Sequence, residues 1–449
     1  MDLPQGSDEA IATVPRVIEV SEKSPDTQRV AVVGLGYVGL PLAKRLSDQG
    51  LPVAGIDVNR SVVDTLNAGL STLKSITSDS VATMRRRGFS ATTNFAAVEE
   101  VDVIVVCVPT PLTEDRQPDL RAVISAVEAL TPHLRKGHLV SLESTSWPGT
   151  TREVVAPIIA RSGLVVGDTV FLTFSPERED PGNAHFALQN TPKLVGGVTP
   201  QCLDRGVNFY RHFVDIVVPV SSPDVAEMAK IVENTYRFVN ISLVNELKIV
   251  ADQLGLDIFE IMDAAGTKPF GFARFNAGPG IGGHCIPVDP LYLSWRAQKL
   301  GLDVRFIALS AQVNSEMPFH VLKKTELALN ANGKALVGAR VLVLGVAYKP
   351  DIDDVRESPS ITVLRLLAEK GAMVSYSDPL VPELHATHSP NGSRMRSIEL
   401  TPDVISSCDV VLLLCDHSDF DYPTLVEHAS VIVDTRGRYP AQAPKIIRA

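Results

Sequence analysis

The chain has 449 residues, enough for two or three domains, and its 45% apolar and 21% charged content is ordinary for a globular protein. With 42 Lys and Arg against 52 Asp and Glu its net charge is −10, and no basic stretch offers a nucleic-acid surface, which argues against DNA or RNA as a partner. Five cysteines (Cys107, Cys202, Cys285, Cys408 and Cys415) form no CxxC pair, which argues against a disulfide framework and for a reducing, cytoplasmic compartment.

In chain order, residues 1–28 mix acids, Pro and Ser without an apolar core and read as a loose extension, not a signal peptide. No run approaches the ~18 apolar residues of a membrane span. "RVAVVG", from Arg29 to Gly34, predicts a short buried strand, "YVGLPLAKRLSDQG" a helix ending at Gly50, and "PVAGID" the next strand. Apolar strands continue through "VDVIVVCVP", "HLVSLES", "TVFLTFSP" and "DIVVPV", and this alternation implies a parallel sheet covered on both faces. The pattern changes at Ser222, a helix cap followed by Pro223 at the first helical position and Asp224 at the positive end of the dipole. The next break is Gly255, so one long helix forms a spine, followed by "LDIFEIMDAAG" and the glycine-rich "GPGIGGHCIPVDP". Helical segments then lead to a second lobe. There "ARVLVLGVAYKP" repeats the strand-then-Gly order, followed by the helix "SITVLRLLAEKG" and the strands "AMVSYSD", "DVVLLLC" and "SVIVDT".

"GLGYVG" supplies Gly34, Gly36 and Gly39 straight after a strand and at the start of a helix. The first glycine permits a tight turn, the second lets a pyrophosphate approach the backbone, and the third lets the helix pack on the sheet. The helix N-terminus adds N–H groups and partial positive charge. Asp57 ends the next strand, about 20 residues on, where a carboxylate accepts both ribose hydroxyls and repels a 2′-phosphate. NAD is therefore expected over NADP, with Arg60 the one nearby residue that favours the opposite choice. The alternative is a doubly wound turn that binds something else, or nothing. The expected fold is α/β: two Rossmann-like doubly wound lobes, 29–221 and 331–449, joined by a long central helix within a helical middle domain, 222–330.

Cys285 lies in the glycine-rich segment, where backbone can come close to a ligand. It could be an inert thiol, a metal ligand or a nucleophile paired with His284. No second Cys or His stands at ligand spacing, so no metal is expected. Adjacent side chains rarely face each other, which makes His284 a poor base. "EMAKIVENTY" puts Lys230 and Asn234 four apart on one helical face. They are either a solvated surface pair or two donors for a developing oxyanion, with the ammonium favouring a thiolate.

The segments "GLGYVGLPLA", "GIDVN", "VCVPTPL", "STSWPGTT", "SPEREDPG", "EMAKIVENTYRFVNISLVNEL", "GPGIGGHCIPVDPLYL" and "VLGVAYKPDIDDVRESPS" resemble the UDP-glucose/GDP-mannose dehydrogenase family, the nucleotide-sugar 6-dehydrogenases. The resemblance runs from about residue 29 to the C-terminus. It implies an NAD-dependent four-electron oxidation of a sugar hydroxymethyl group to a carboxylate. Cys285 resembles the nucleophile that forms a thiohemiacetal and then a thioester. Lys230 and Asn234 resemble the oxyanion donors, and Asp289 the carboxylate that handles the alcohol proton, often through water. Glu177 resembles the residue that activates water for hydrolysis, and Thr145 a polar residue of the same site. Further substrate contacts are implied for Arg178, Arg274, Gly280, Gly282 and Lys349, and cofactor contacts for Tyr37, Val38, Pro109, Thr110 and Arg356. Without the resemblance, Lys349 and Arg356 read as a charged loop with Asp351, Asp353 and Asp354 as partners. The family also implies that the second lobe carries most of the uridine diphosphate site and that the helical middle forms a homodimer interface.

Pro181 in "PEREDPG" departs from the UDP-glucose enzymes and resembles the branch that oxidises UDP-N-acetylhexosamines, and "GGHCIPVDPLYLSW" resembles its UDP-N-acetylglucosamine members, which makes UDP-N-acetylglucosamine the leading substrate. UDP-glucose and UDP-N-acetylmannosamine are the alternatives, since one hydroxyl's orientation is decided by pocket shape. Two rival readings are a single-hydride hydroxyacid dehydrogenase, which needs no thiol, and a catalytically decayed nucleotide sensor.

Overall fold

A computed structural model describes residues 17–20, 28–178, 186–390, 392–440, 443 and 445–449. The chain divides into two units: residues up to Thr110 with Asp119–Lys230, and Pro111–Pro118 with Ile231–Ala449.

Among the described residues the first unit is built on nine strands: β1 (Ile18–Glu19), β2 (Val30–Val33), β3 (Val53–Ile56), β4 (Ser90–Thr92), β5 (Val103–Val106), β6 (Leu139–Leu142), β7 (Phe171–Phe174), β8 (Lys193–Gly197) and β9 (Ile216–Val220). Their order is β1-β9-β8-β7-β6-β5-β2-β3-β4. Every residue of β2, β5, β6 and β7 is buried, as expected of strands covered on both faces. Two pairings depart from the expected parallel sheet. β8 runs antiparallel to β7, with Thr173 opposite Gly197. The sequence hides β8 because "KLVGG" carries a lysine and two glycines. Those glycines are imposed by close approach: a Cβ on Gly196 would run into the Ser222 carbonyl, and one on Gly197 into the Leu203 amide. The second departure corrects the loose-extension reading at residues 18–19. Ile18 and Glu19 pair antiparallel with Val217 and Ile216, so this short piece covers an otherwise open sheet edge.

The long helix spans Pro223–Gln253, 31 residues, and starts as its sequence dictates. The Ser222 hydroxyl accepts the Val225 N–H at 3.3 Å. After Lys230 the helix continues into the second unit. There it is followed by helices Ile258–Gly266, Asp289–Lys299 and Arg305–Ala331.

The second unit's main sheet contains β10 (Arg340–Leu344) and β11 (Met373–Ser377). A small antiparallel pair, β12 (Glu383–Leu384) and β13 (Met395–Arg396), intervenes before β14 (Val410–Leu413), β15 (Ile432–Asp434) and β16 (Ile446–Arg448). The order β11-β10-β14-β15-β16 is parallel throughout. Buried apolar side chains pack on both of its faces: Val341 and Val343 with Val363 and Leu367, and Leu342 and Leu344 with Leu425.

Candidate active site

In the first unit, β2 runs into the glycine turn. Gly34 has φ +90°, and a Cβ there would lie 2.7 Å from the Cys107 carbonyl oxygen. A Cβ on Gly39 would run into the Gly34 carbonyl, whereas nothing lies within 4 Å of the Cβ position of Gly36. The protein's own backbone therefore requires the first and third glycines, and the space beside the second is left for a ligand. Asp57 Oδ2 accepts the Leu35 N–H at 2.8 Å and Oδ1 the Asn59 N–H at 2.8 Å, which fixes the carboxylate beside the turn. Arg60 pairs with Asp64 at 3.1 Å on an exposed surface, an alternative to acting as a 2′-phosphate receptor. Tyr37 and Pro109 are exposed, Val38 is half-buried and Thr110 is buried. This constellation fits NAD.

Thr145, in the loop after β6, is half-buried. Glu177, after β7, approaches Lys230 on the long helix, with 3.8 Å between carboxylate and ammonium. Arg178 donates to the Pro192 carbonyl at 2.6 Å. The reading of Lys230 and Asn234 as a solvated pair fails, since they are only 6% and 8% exposed. Linear reasoning missed two groups that support these first-unit residues. Glu227, three residues before Lys230 on the same face, accepts the N–H groups of Gly149 (2.6 Å) and Thr151 (2.8 Å) and the Thr151 hydroxyl (2.7 Å). It thereby fixes the loop that bears Thr145 from the start of its following helical turn. Burial lifts its carboxyl to about 7 despite these donors. The loop it holds lies some 76 residues away in sequence, so linear spacing between the two could not signal this. The i, i+3 spacing to Lys230 could have. The second missed group is a buried pair, Lys193–Glu143, at 2.7 Å. Lys193 also donates to the Pro176 carbonyl at 3.1 Å, next to Glu177, and Tyr210 donates to Glu143 at 2.6 Å.

In the second unit, Cys285 is the one exposed cysteine; Cys107, Cys202, Cys408 and Cys415 are buried. Its carbonyl accepts the Asp289 N–H at 2.9 Å, closing a turn into the helix that starts at Asp289. The Asp289 carboxylate sits in the first turn of that helix, where the dipole favours negative charge. Asn234 Nδ2 donates to Asp289 Oδ2 at 2.6 Å, and both residues are buried. Amide, carboxylate and thiol-bearing turn are thus tied together. Burial and the Arg356 charge push the His284 imidazole down, consistent with its being a poor base.

The glycines near the thiol have a packing reason of their own, besides the expected room for a ligand. A Cβ on Gly282 would lie 2.7 Å from the Glu357 carbonyl oxygen and 2.7 Å from Tyr348 Cβ, and one on Gly280 3.1 Å from Pro359 Cβ. They let the loop pack against residues 348–359, where the Gly283 N–H also reaches the Arg356 carbonyl at 3.0 Å. Arg356 forms a bidentate pair with Asp354, at 2.6 Å for its shortest contact, one of the local partners the sequence offers it. Lys349 is half-buried in the same segment. Arg274 is exposed and paired with Asp263 at 2.8 Å, on the surface of this unit. The residues around Pro181 lie outside the described residues.

The second unit repeats the geometry of the first turn without its opening. Gly345 has φ +78°, and Asp378, at the end of β11, accepts the Val346 N–H at 2.8 Å as Asp57 does that of Leu35. But Asp378 also accepts from Leu380 and Val381 and meets His417 Nε2 at 3.1 Å. Its carboxylate is saturated by protein and is not a second ribose reader.

Three sequence profiles of one family match in order: its NAD binding domain over residues 28–214, its central domain over 224–316 and its UDP binding domain over 342–441. The chain is 36% identical over 362 residues to UDP-N-acetyl-D-glucosamine 6-dehydrogenase of Pseudomonas aeruginosa, covering 80% of this chain and 85% of that one. It is 34% identical over 430 residues to UDP-N-acetyl-D-mannosamine dehydrogenase of Yersinia pestis, covering 91% and 99%. Among solved structures, UDP-D-ManNAc dehydrogenase from Pyrococcus horikoshii superimposes with a TM-score of 0.84 at 28% identity, covering 94% of this chain and 98% of that one. The chain belongs to the UDP-glucose/GDP-mannose dehydrogenase family and is an NAD-dependent nucleotide-sugar dehydrogenase.

Proposed function

We propose that the chain oxidises the 6-hydroxymethyl group of a UDP-N-acetylhexosamine, with UDP-N-acetylglucosamine the leading substrate, to the uronic acid through a thioester on Cys285. The observation that carries this reading is the Asn234–Asp289–Cys285 arrangement, in which the one exposed thiol turns directly into a buried carboxylate held by an amide.

Bound NAD supplies the hydride acceptor for each of two oxidations, and the Gly36 opening with Asp57 beside it would hold it. Asp289, through water, accepts the alcohol proton as the carbon loses its first hydride. The Cys285 thiolate then forms a C–S bond to the aldehyde carbon, and Lys230 and Asn234 donate to the oxygen as it gains charge. Burial makes both donors more effective than they would be in water, because the low surrounding dielectric screens them less. Loss of the second hydride leaves the thioester. Glu177 accepts a proton from the attacking water, the C–S bond breaks, and the product leaves as a carboxylate. Covalent capture retains the aldehyde between the two oxidations.

Pro181 supports the N-acetylhexosamine branch, and "GGHCIPVDPLYLSW" with the 36% identity to the Pseudomonas enzyme supports N-acetylglucosamine within it. The mannosamine relatives at similar identity make UDP-N-acetylmannosamine the second reading. A homodimer through the central helices is supported by an exposed apolar stripe on the long helix (Val232, Tyr236, Leu243, Leu247 and Val250). No helix among the described residues is long and apolar enough to cross a membrane, and four buried thiols suit a reducing cytoplasm. NADH production across a panel of UDP-sugars tests substrate and stoichiometry together. Two NADH per N-acetylglucosamine substrate support the proposal, and turnover restricted to another sugar, or one NADH per sugar, refutes it.

A further inference from the structure

Gly278 opens the glycine-rich loop that ends in Cys285, and its peptide is held from both sides by the long helix. Asn245 Oδ1 accepts the Gly278 N–H at 2.9 Å, and Lys248 Nζ donates to the Gly278 carbonyl at 2.8 Å. Asn245 and Lys248 are three residues apart, on one helical face, and both are buried. Farther along the loop, Asn314 makes a similar hold on Ile281, accepting its N–H at 2.6 Å and donating to its carbonyl at 3.3 Å. An irregular buried loop has no ladder to satisfy its peptide groups, so side chains must do so.

Lys248 is an expensive choice for this task. Arg436, from the segment after β15, and Lys324, from helix Arg305–Ala331, both repel its charge; Asp252, one turn along its own helix, attracts it. Asp252 is itself paired with Lys324 at 2.6 Å. His320 and Arg448 line the same small cavity as Lys248. Burial, reinforced by these neighbours, brings the Lys248 amine down to about 7. Methionine would fill the same volume without that cost, so what distinguishes lysine here is its hydrogen bond to Gly278.

We propose that Lys248, together with Asn245, is a positioning residue for the Cys285 thiol, fixing the entry of its loop by gripping the Gly278 peptide. The proposal rests on Cys285 being the nucleophile. An ammonium makes a stronger, charge-assisted bond than a neutral amine, so the grip is firmest when Lys248 is protonated.

The test uses the full-length chain with Lys248→Met, Lys248→Gln and Cys285→Ser. A nucleophile displaced by an ångström loses rate steeply, so Lys248→Met should lower kcat by roughly ten- to a hundredfold. KM for NAD should stay within about twofold, because the glycine turn of the first unit is untouched. Alkylation of Cys285 by iodoacetamide should change in rate, and Lys248→Gln, which keeps a donor, should recover part of kcat. The wild-type to Lys248→Met ratio of kcat should be largest below about pH 7 and narrow above it. Wild-type kcat and thiol reactivity in Lys248→Met would overturn the proposal. So would a loss explained wholly by unfolding, seen as a normal rate at a temperature where the variant is folded. A flat pH ratio would overturn the protonation dependence. Full two-NADH turnover by Cys285→Ser would instead sink the nucleophile reading beneath it.

Discussion

Replacing Lys193 by Met removes one side of the buried pair beneath the Thr145 and Glu177 loops. Lys193 and Glu143 are 2% and 3% exposed, so neither charge can turn to water when its partner is lost. Glu143 would keep the Tyr210 hydroxyl and lose the ammonium, and the Pro176 carbonyl would lose a donor. Breaking a buried pair from one side costs about 3–5 kcal/mol, because the remaining charge is stranded. The first unit has about 220 residues, and a domain of that size loses about 2–4 °C of melting temperature per kcal/mol. The expected drop is therefore roughly 6–20 °C in the transition that reports this unit, read by differential scanning calorimetry. The double variant Glu143→Gln, Lys193→Met has no stranded charge and should recover most of it. A single variant melting within about 2 °C of wild type, or a double variant no better than the single, would show that the pair is not worth what its burial implies. Because Pro176 adjoins Glu177, the single variant should also slow product release from the thioester, detected as a covalent adduct by mass spectrometry.

Other outcomes follow from the same geometry. Gly36→Ala should fold normally, since no protein atom lies near its Cβ, yet bind NAD much more weakly in a fluorescence titration; Gly39→Ala should fail to fold stably because its Cβ meets the Gly34 carbonyl. Cys285→Ser should abolish the second oxidation and lower the NADH yield to one per sugar at most. Asp57→Ala removes the acceptor fixed by Leu35 and Asn59 and should raise KM for NAD by roughly ten- to a hundredfold, the cost of about 1.5–3 kcal/mol for charge-assisted hydrogen bonds. Burial lifts the Glu227 carboxyl from its ordinary 4.5 to about 7, so the native state holds its proton more tightly. Its contribution to stability is complete below about pH 4.5 and is lost as pH rises through about 7. Glu227→Gln should flatten that part of the melting-temperature profile, and an unchanged slope would assign the titration to another group.

The sequence by itself determined the cofactor turn, the boundaries of the long helix and the candidate thiol. These depend on local rules: glycines at fixed spacing after an apolar strand, a cap–Pro–Asp helix start, and a cysteine set in irregular backbone. Asp57 was legible for the same reason, since the next strand brings it back beside the turn at a characteristic distance. Only the tertiary structure decided what the glycines at 280 and 282 are for, because the segment they pack against lies some 70 residues away in sequence. It also decided that Lys230 is buried, that Lys193 sits inside a strand as half of an ion pair, and that Asp378 is saturated where Asp57 is not. Periodicity reports which face of an element is apolar, but a buried charge is tolerated only through its partner. That partner is chosen by how distant strands and helices come together, which linear spacing does not encode.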